Sequence, residues 1–225
     1  MVKGLNKMTF KLEAFHRVSE ADLERAAAMW TRAFYDGAFY VWVMPDPAIR
    51  KELLKELFKL RLRLGILFGE VYVTPDFEGG AHWMPSENAA LSEERLIEAG
   101  ALEFSARLEA AEPEAMPRIQ RYLEIVEPLH AQLAPFTHLY LSSIAVDPVH
   151  QKKGYGTGLL RAMFKRIDQE KMPVYLETNA EDNISYYERV GFAVRKQVII
   201  PDTDLPVWVM IRGAKSNRAP KRSVP

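Results

Sequence analysis

The segment VDPVHQKKGYGTGLL, residues 146–160, decides how this sequence is interpreted. It carries glycines at three alternate positions, after an apolar run and directly before a predicted helix. A glycine-rich turn that opens a helix offers unpaired backbone N–H groups and the positive end of the helix dipole, and both favour an anion. The segment therefore predicts a binding site for a compound that carries a phosphate.

The composition narrows the class of protein. The 225 residues are 48% hydrophobic and 27% charged, which suffices for one sizeable core and predicts one domain rather than two. Thirty basic residues balance thirty acidic ones, so we expect no nucleic acid and no membrane as partner. The absence of cysteine excludes disulfides, thiolate metal sites and a cysteine nucleophile. No apolar run resembles a signal peptide or a membrane span, so we expect a cytoplasmic protein. We also expect a monomer or a homodimer, and no metal.

Hydrophobic periodicity predicts an α/β order of elements. Ser19 and Asp22 resemble a capping box that opens a helix, and Gly191 with Phe192 is typical of a left-handed cap that closes one. Further helices are predicted at about 49–64, after the three glycines, and at about 184–190. The predicted strands are 9–16, 139–146, PVYLET, the hairpin of EVYVT with AHWMP, and the antiparallel pair FAVRKQVII and PVWVMIR.

Three segments fall outside this regular pattern. The aromatic segment FYDGAFYVWVMPDP, residues 34–47, is predicted to be an irregular loop. Residues 92–134 have a helical pattern with proline breaks and are expected to form an insertion. The last residues, 213–225, contain four basic side chains and no acid, and we expect a disordered tail.

Two familiar phosphate-binding motifs fit the glycine loop poorly. A Walker-type loop needs Lys and Ser or Thr directly after a glycine, whereas Lys153 precedes Gly154. A dinucleotide fingerprint could use GYGTGL with Glu177 as the ribose-binding acid. However, DPVHQKK separates the strand from the glycines, and too little chain follows Gly154 for repeated βαβ units. An oxidoreductase is therefore the disfavoured alternative.

A third motif matches in detail. The run VDP followed by QKKGYG at 151–156 resembles the Gln/Arg-x-x-Gly-x-Gly/Ala signature of the GCN5-related N-acetyltransferase (GNAT) family. Downstream, LETNAEDNISYYERVGF at 176–192 resembles the second conserved block of that family. Together with LSSIAV and the hairpin that ends in HWMPSENA, these segments are similar to the puromycin N-acetyltransferase type. Tyr186 stands where that pattern has a Phe, and Asn179 replaces a small residue.

The resemblance implies a fold and a cofactor. The fold is a mixed, mostly antiparallel sheet of six or seven strands flanked by helices, with a parallel, splayed central pair, in a single acetyltransferase domain over 1–212. The cofactor is acetyl-coenzyme A, whose pyrophosphate binds the backbone N–H groups of the loop. The residues expected to bind it are Ile144, Ala145, Val146, Gln151, Lys152, Lys153, Gly154, Tyr155, Gly156, Thr157, Gly158, Asn179, Asn183, Tyr186 and Tyr187.

Catalytic roles also follow from the resemblance. A bulge would turn the backbone N–H of Ile144 toward the acetyl oxygen, where a preorganised donor stabilises the oxyanion. Tyr187 would protonate the departing sulfur. Glu177 is a candidate base for the amine proton, with a purely structural carboxylate as the alternative. His138 and His150 are expected to be solvated residues at the rim.

The acceptor is expected to be the primary amine of a small molecule. Aromatic faces suit a flat or cationic amine, and binding residues concentrate in irregular segments. The candidates are Tyr35, Tyr40, Trp42 and Trp83. Two other functions remain open, a non-catalytic acyl-coenzyme A sensor and a protein or peptide N-acetyltransferase.

Overall fold

A computed structural model describes residues 11–90 and 92–214. Within these residues, seven strands form one mixed sheet. In chain order they are β1 (His16–Arg17), β2 (Glu70–Val73), β3 (Gly79–Pro85), β4 (Leu139–Val146), β5 (Val174–Thr178), β6 (Ala193–Ile199) and β7 (Pro206–Arg212). Their order across the sheet is β1-β2-β3-β4-β5-β7-β6, and every neighbouring pair except β4 and β5 is antiparallel.

Helices cover both faces of the sheet. They are α1 (Leu23–Phe34), α2 (Ala38–Val43), α3 (Pro47–Phe68), α4 (Ser86–Ala89), α5 (Glu93–Glu98), α6 (Ala101–Ala111), α7 (Ala115–Leu133), α8 (Tyr155–Gln169) and α9 (Asp182–Arg189). Helices α1 and α3 bury one face, while the apolar side of α8 packs on the other. Within residues 11–90 and 92–214, none of these helices combines the length and the hydropathy that a bilayer crossing requires.

The central pair of strands separates soon after it forms. Strands β4 and β5 run parallel and are in register at Leu139 with Val174 and at Tyr140 with Tyr175. Beyond this point β4 stays paired with β3, and β5 stays paired with β7. A wedge therefore opens between the two strands, as the sequence predicts.

A β-bulge shifts the alternation of side chains along β4. His82 of β3 pairs with Ser143 and Trp83 with Leu141, so that Ser142 is the extra residue. Before the bulge, Leu141 lies on the face covered by α8. After it, Ile144 lies on that same face, three positions later instead of two. The bulge thus brings the last residues of β4 to the α8 side of the sheet.

The opposite face holds the bulge against α1. Trp30 is fully buried, and its indole N–H donates to the hydroxyl of Ser143 at 2.9 Å. Its ring lies directly over Gly80 of β3, where a Cβ atom would clash with it. Glycine at this position therefore allows the tryptophan to approach the sheet closely enough to reach Ser143.

Most predicted elements are confirmed. Strand β4 has the predicted bounds, both hairpins form, and helices α5 to α7 occupy the expected insertion. The predicted strand at 9–16 is wrong over residues 11–16, which the structure describes. A 3₁₀ turn at Leu12–Ala14 precedes a strand of only two residues. The prediction of an irregular loop at 34–47 is also wrong, because this segment contains α2. The tail, from residue 215 onward, lies outside the described residues.

Candidate active site

The chain after β4 is anchored before the glycines begin. The Asp147 carboxylate accepts a hydrogen bond from the side chain of Arg32 at 2.7 Å and one from the backbone N–H of Val149 at 3.3 Å. The backbone N–H of Asp147 donates to the carbonyl of Glu78 at 2.9 Å. These contacts tie the start of the loop to α1 and to the β2–β3 hairpin.

The glycine loop presents backbone donors at the N-terminus of α8. Gly154 has a φ of +90°, a left-handed conformation that favours glycine, and helix α8 begins at the next residue. The N–H of Gly158 donates to the carbonyl of Gly154 at 2.9 Å. The preceding N–H groups at 155–157 belong to the first turn, where a helix has no internal acceptors for them. Such N–H groups at a helix N-terminus are the donors that a phosphate cradle requires.

Gly156 keeps this cradle open. A Cβ atom there would lie 3.1 Å from the hydroxyl of Tyr186 and 3.5 Å from a methyl group of Val146. The loop backbone therefore lies directly against the end of β4 and against α9. This close approach leaves the N–H groups accessible beside the strand edge.

The polar side chains of the loop support its backbone. Lys153 donates through Nζ to the carbonyl of Val149 at 2.9 Å, and Gln151 donates to the carbonyl of Val146 at 3.3 Å. Lys152 has a φ of +60°, and all three side chains are exposed. The contacts of Lys153 and Gln151 hold the shape of the loop, and the charges of the two lysines lie near its backbone N–H groups.

Helix α9 brings two tyrosines to the α8 side of the sheet. Its end is closed by Gly191, whose φ is +100°, and the N–H of Phe192 donates to the carbonyl of Tyr187 at 3.1 Å. Tyr187 is buried against Phe192, and burial raises the pKa of its phenol well above the usual value. Burial also raises the pKa of Tyr186, whose hydroxyl lies beside Thr157 and Gly156.

The two predicted asparagines occupy different places. Asn179 donates to the carbonyl of Pro206 at 2.8 Å and accepts from the hydroxyl of Tyr122 at 3.5 Å. It thus joins β5 to β7 and α7. Asn183 lies exposed in the first turn of α9.

A polar cleft lies at the wedge, on the face opposite α8. The carboxylate of Glu177 lies next to the hydroxyls of Tyr175 and Tyr140, one from each of the separating strands. Burial raises the pKa of Glu177 above its usual value, although the two neighbouring phenols and the guanidinium of Arg61 oppose the shift. The side chain remains partly accessible to solvent. It is therefore a carboxylate with raised proton affinity at the opening between β4 and β5.

Aromatic side chains from α2 and α7 line the same cleft. The hydroxyl of Tyr40 accepts a hydrogen bond from Arg61 of α3 at 3.5 Å. The ring of Phe39 lies 4.5 Å from that of Tyr122, measured between centroids. Trp42 packs in the same cluster, against Val126 of α7 and apolar residues of β7 and the β6–β7 turn. Sequence reasoning missed Arg61 and Tyr122, because nothing local assigns a residue of α3 or α7 to this face.

Two predicted acceptor residues lie elsewhere. Trp83 is 1% exposed and packs on Phe164 of α8, so no face of its ring is available to a substrate. Side chains along β3 point alternately to the two faces of the sheet, and that of Trp83 points to the α8 side. The acceptor cleft lies on the other face. Tyr35 donates to the carbonyl of Pro47 at 3.2 Å and stacks with Arg50 at the end of α1. These contacts hold Tyr35 at the α1–α3 connection.

Known proteins that resemble this chain in sequence are acetyltransferases. A model of the acetyltransferase (GNAT) family matches residues 106–192. A protein of Schizosaccharomyces pombe named an uncharacterized N-acetyltransferase is 26% identical over 218 residues, 93% of this chain and 87% of its own length. These matches make the chain similar to acetyltransferases of the GNAT family, and they support an N-acetyltransferase enzyme.

Solved structures of low sequence identity share the fold. A structure from Corynebacterium glutamicum, titled histone acetyltransferase HPA2 and related acetyltransferase, is 19% identical with a TM-score of 0.64. The match covers 92% of this chain and 98% of that one. Arylalkylamine N-acetyltransferase 2 from Aedes aegypti is 13% identical with a TM-score of 0.52, over 89% and 98% of the two chains.

A histidine pair lies behind the cleft. Nε2 of His130 and Nε2 of His138 are 2.7 Å apart, and Nδ1 of His138 is 2.7 Å from the carbonyl of Phe136. His130 also stacks on Tyr175 with a centroid distance of 3.8 Å. His138 is 4% exposed, so the prediction that it is a solvated rim residue is wrong. Because one Nε2 must accept from the other, the two rings cannot both be protonated while this contact is kept.

The histidine pair predicts acid sensitivity of the fold. Burial lowers the pKa of His130 from 6.5 to about 4, and it also lowers the pKa of His138. The folded state thus binds fewer protons than the unfolded chain. The contribution of the pair is complete above about pH 6.5 and is lost as the pH falls toward about 4.

We expect the free energy of unfolding to drop by on the order of 2 kcal/mol between pH 7 and pH 5 through this pair. Urea unfolding at both pH values measures the drop. A double variant, His130→Phe with His138→Leu, removes both partners together and should reduce the drop. An equal drop in the variant would contradict the assignment.

Proposed function

We propose that this protein is an acetyl-coenzyme A-dependent N-acetyltransferase that acts on the primary amine of a small molecule. One observation carries the proposal. The separation of β4 from β5 joins a phosphate cradle on the α8 face to a carboxylate in an aromatic cleft on the other face. A donor that is held by the cradle and passes through the wedge would meet an amine in the cleft.

The described residues fit the coenzyme. The N–H groups at 155–157 and the glycine at 156 would receive the pyrophosphate, since a side chain at 156 would fill the cradle. The free edge of β4 at Ile144, Ala145 and Val146 faces the wedge and would pair with the pantetheine arm. Acetyl-coenzyme A, when bound, supplies the acetyl group as a thioester. Gln151, Lys152, Lys153, Asn183 and Tyr186 would surround the phosphates, and Asn179 would lie on the acceptor side.

Three groups of the chain would carry the chemistry. The backbone N–H of Ile144 would donate to the acetyl oxygen, and the bulge at Ser142 orients this part of the strand. Tyr187 would donate its phenolic proton to the leaving sulfur, and its raised pKa keeps that proton bound at neutral pH. Glu177 would accept a proton from the attacking amine, a task for which a raised carboxylate pKa is suited.

The enclosure of the cleft supports a small acceptor. Helices α2 and α7 meet over it through Phe39 and Tyr122, and the apolar cluster of α7 with the β6–β7 hairpin continues this cover. A lysine within a peptide needs an open groove on both sides of the reacting amine, whereas this cleft is covered by α2 and α7. The likeness of three segments to the puromycin N-acetyltransferase type also favours a small amine. Tyr40 and Trp42 would form its aromatic wall.

Release of free thiol from acetyl-coenzyme A tests the function. The panel contains arylalkylamines, aminonucleosides, polyamines, a histone-like peptide and a peptide with a free N-terminus. We expect release with a small amine and none with the peptides. Release with a peptide alone would move the acceptor class to proteins. Binding of coenzyme A without release from any amine would instead indicate a sensor.

The two tyrosines of α9 predict different kinetic effects. Tyr187→Phe should lower kcat by about 100-fold, because the leaving thiolate loses its proton donor. Tyr186→Phe is the matched control, since its hydroxyl lies at the glycine loop. We expect it to raise the KM for acetyl-coenzyme A and to leave kcat close to that of the wild type. Steady-state kinetics separate the two, and unchanged turnover of Tyr187→Phe would exclude it as the acid.

The carboxylate in the cleft predicts a pH profile. Because burial raises the pKa of Glu177 and the base must be deprotonated, kcat/KM should fall on the acid side at a higher pH than for an exposed glutamate. Glu177→Gln should lower kcat/KM and abolish this acidic limb. The measurement is kcat/KM from pH 5 to pH 9. Full activity with the same limb in the variant would dismiss Glu177 as the base.

A further inference from the structure

The bulge in β4 is held from one side by two long side chains. The indole of Trp30 donates to the hydroxyl of Ser143 at 2.9 Å. Nη2 of Arg61 lies 3.2 Å from both the carbonyl oxygen and the hydroxyl of Ser142. Consecutive residues of a regular strand point to opposite faces. Here both serines meet helices of the same face, which only the bulge allows.

The contact of Arg61 is unusual for an arginine. Among the described residues, its hydrogen bonds go to neutral oxygens of Ser142 and Tyr40 rather than to a carboxylate. The guanidinium lies deep between α3 and the sheet, where an imperfectly paired charge is costly. The bulge removes the carbonyl of Ser142 from the β3–β4 ladder, and a buried carbonyl needs a donor. Arg61 supplies this donor.

The position of the bulge determines where Ile144 points. A shift of one residue in register turns every following side chain and N–H group to the other side of the strand. Without an extra residue at Ser142, Ile144 would turn away from α8 and the glycine loop. A donor that fixes the Ser142 carbonyl thus fixes the orientation of the N–H two residues later.

We propose that Arg61 is a positioning residue for catalysis, which holds the β4 bulge so that the N–H of Ile144 faces the acetyl oxygen. The proposal rests on the proposed function, because it assigns a purpose to that N–H. Arg61 acts through the backbone of Ser142 and does not itself touch the reacting atoms. Its loss should therefore affect the transition state more than the binding of either substrate.

Kinetics of Arg61→Met test the proposal. We expect kcat to fall by about 100-fold, the usual effect of losing one oxyanion donor. The KM values for amine and acetyl-coenzyme A should stay close to those of the wild type. Arg63→Met is the matched control, since Arg63 is on the same helix but pairs with Glu20 at 2.6 Å outside the cleft. It should retain the wild-type kcat. A raised KM for the amine with unchanged kcat in Arg61→Met would overturn the proposal, because Arg61 would then contact the acceptor.

A second variant tests the proposal if Arg61→Met does not fold. Arg61→Lys keeps the charge but lacks the fork that reaches both oxygens of Ser142. We expect a lowered kcat and shifted amide NMR signals for Ser143 and Ile144, while Arg63→Lys leaves those signals in place. Wild-type kcat and unshifted signals in Arg61→Lys would overturn the proposal. If the wild type acetylates no amine, the proposed function fails, and the catalytic role of Arg61 fails with it. The amide shifts are independent of turnover, so they still show whether Arg61 holds the bulge.

Discussion

The extra residue in β4 is the constraint on which the site depends. It changes the alternation of the strand midway, so that Leu139 and Leu141 share the α8 face with Ile144 and Val146. The first half of the strand can then fill the core while the second half adjoins the glycine loop. A regular strand would place one half on the wrong face. The serines at the transition supply the polar groups that α1 and α3 bind.

The wedge between β4 and β5 gives the two faces different chemistry. On the α8 side the donors are backbone N–H groups at a helix N-terminus, an arrangement that suits a phosphate without a buried cation. On the other side lie a carboxylate, several phenols and a guanidinium. The first environment suits an anion that must enter and leave. The second suits proton transfer, because burial and neighbouring hydroxyls tune the carboxylate.

Local sequence predicted much of this arrangement for physical reasons. The bulge in LYLSSIAV was implied by the family resemblance, and the structure has it at the two serines. The glycines at 154 and 191 stand where the backbone adopts positive φ. The helix at 38–43 was missed because AFYVWV has weak intrinsic helix propensity. In the structure this helix packs its aromatic rings against α3 and α7, and these contacts stabilise it.

The sequence by itself determined the order of elements, the glycine loop before α8 and the bounds of β4, because each depends on residues close together in the chain. Only the tertiary structure decided which side chains share the cleft. Helix α3 carries several basic residues of similar local pattern, and packing alone turns Arg61 toward Ser142 while Arg63 turns toward Glu20. The same applies to Trp83, whose burial depends on the face that β3 presents to α8. Such choices depend on contacts between distant segments, which no local pattern encodes.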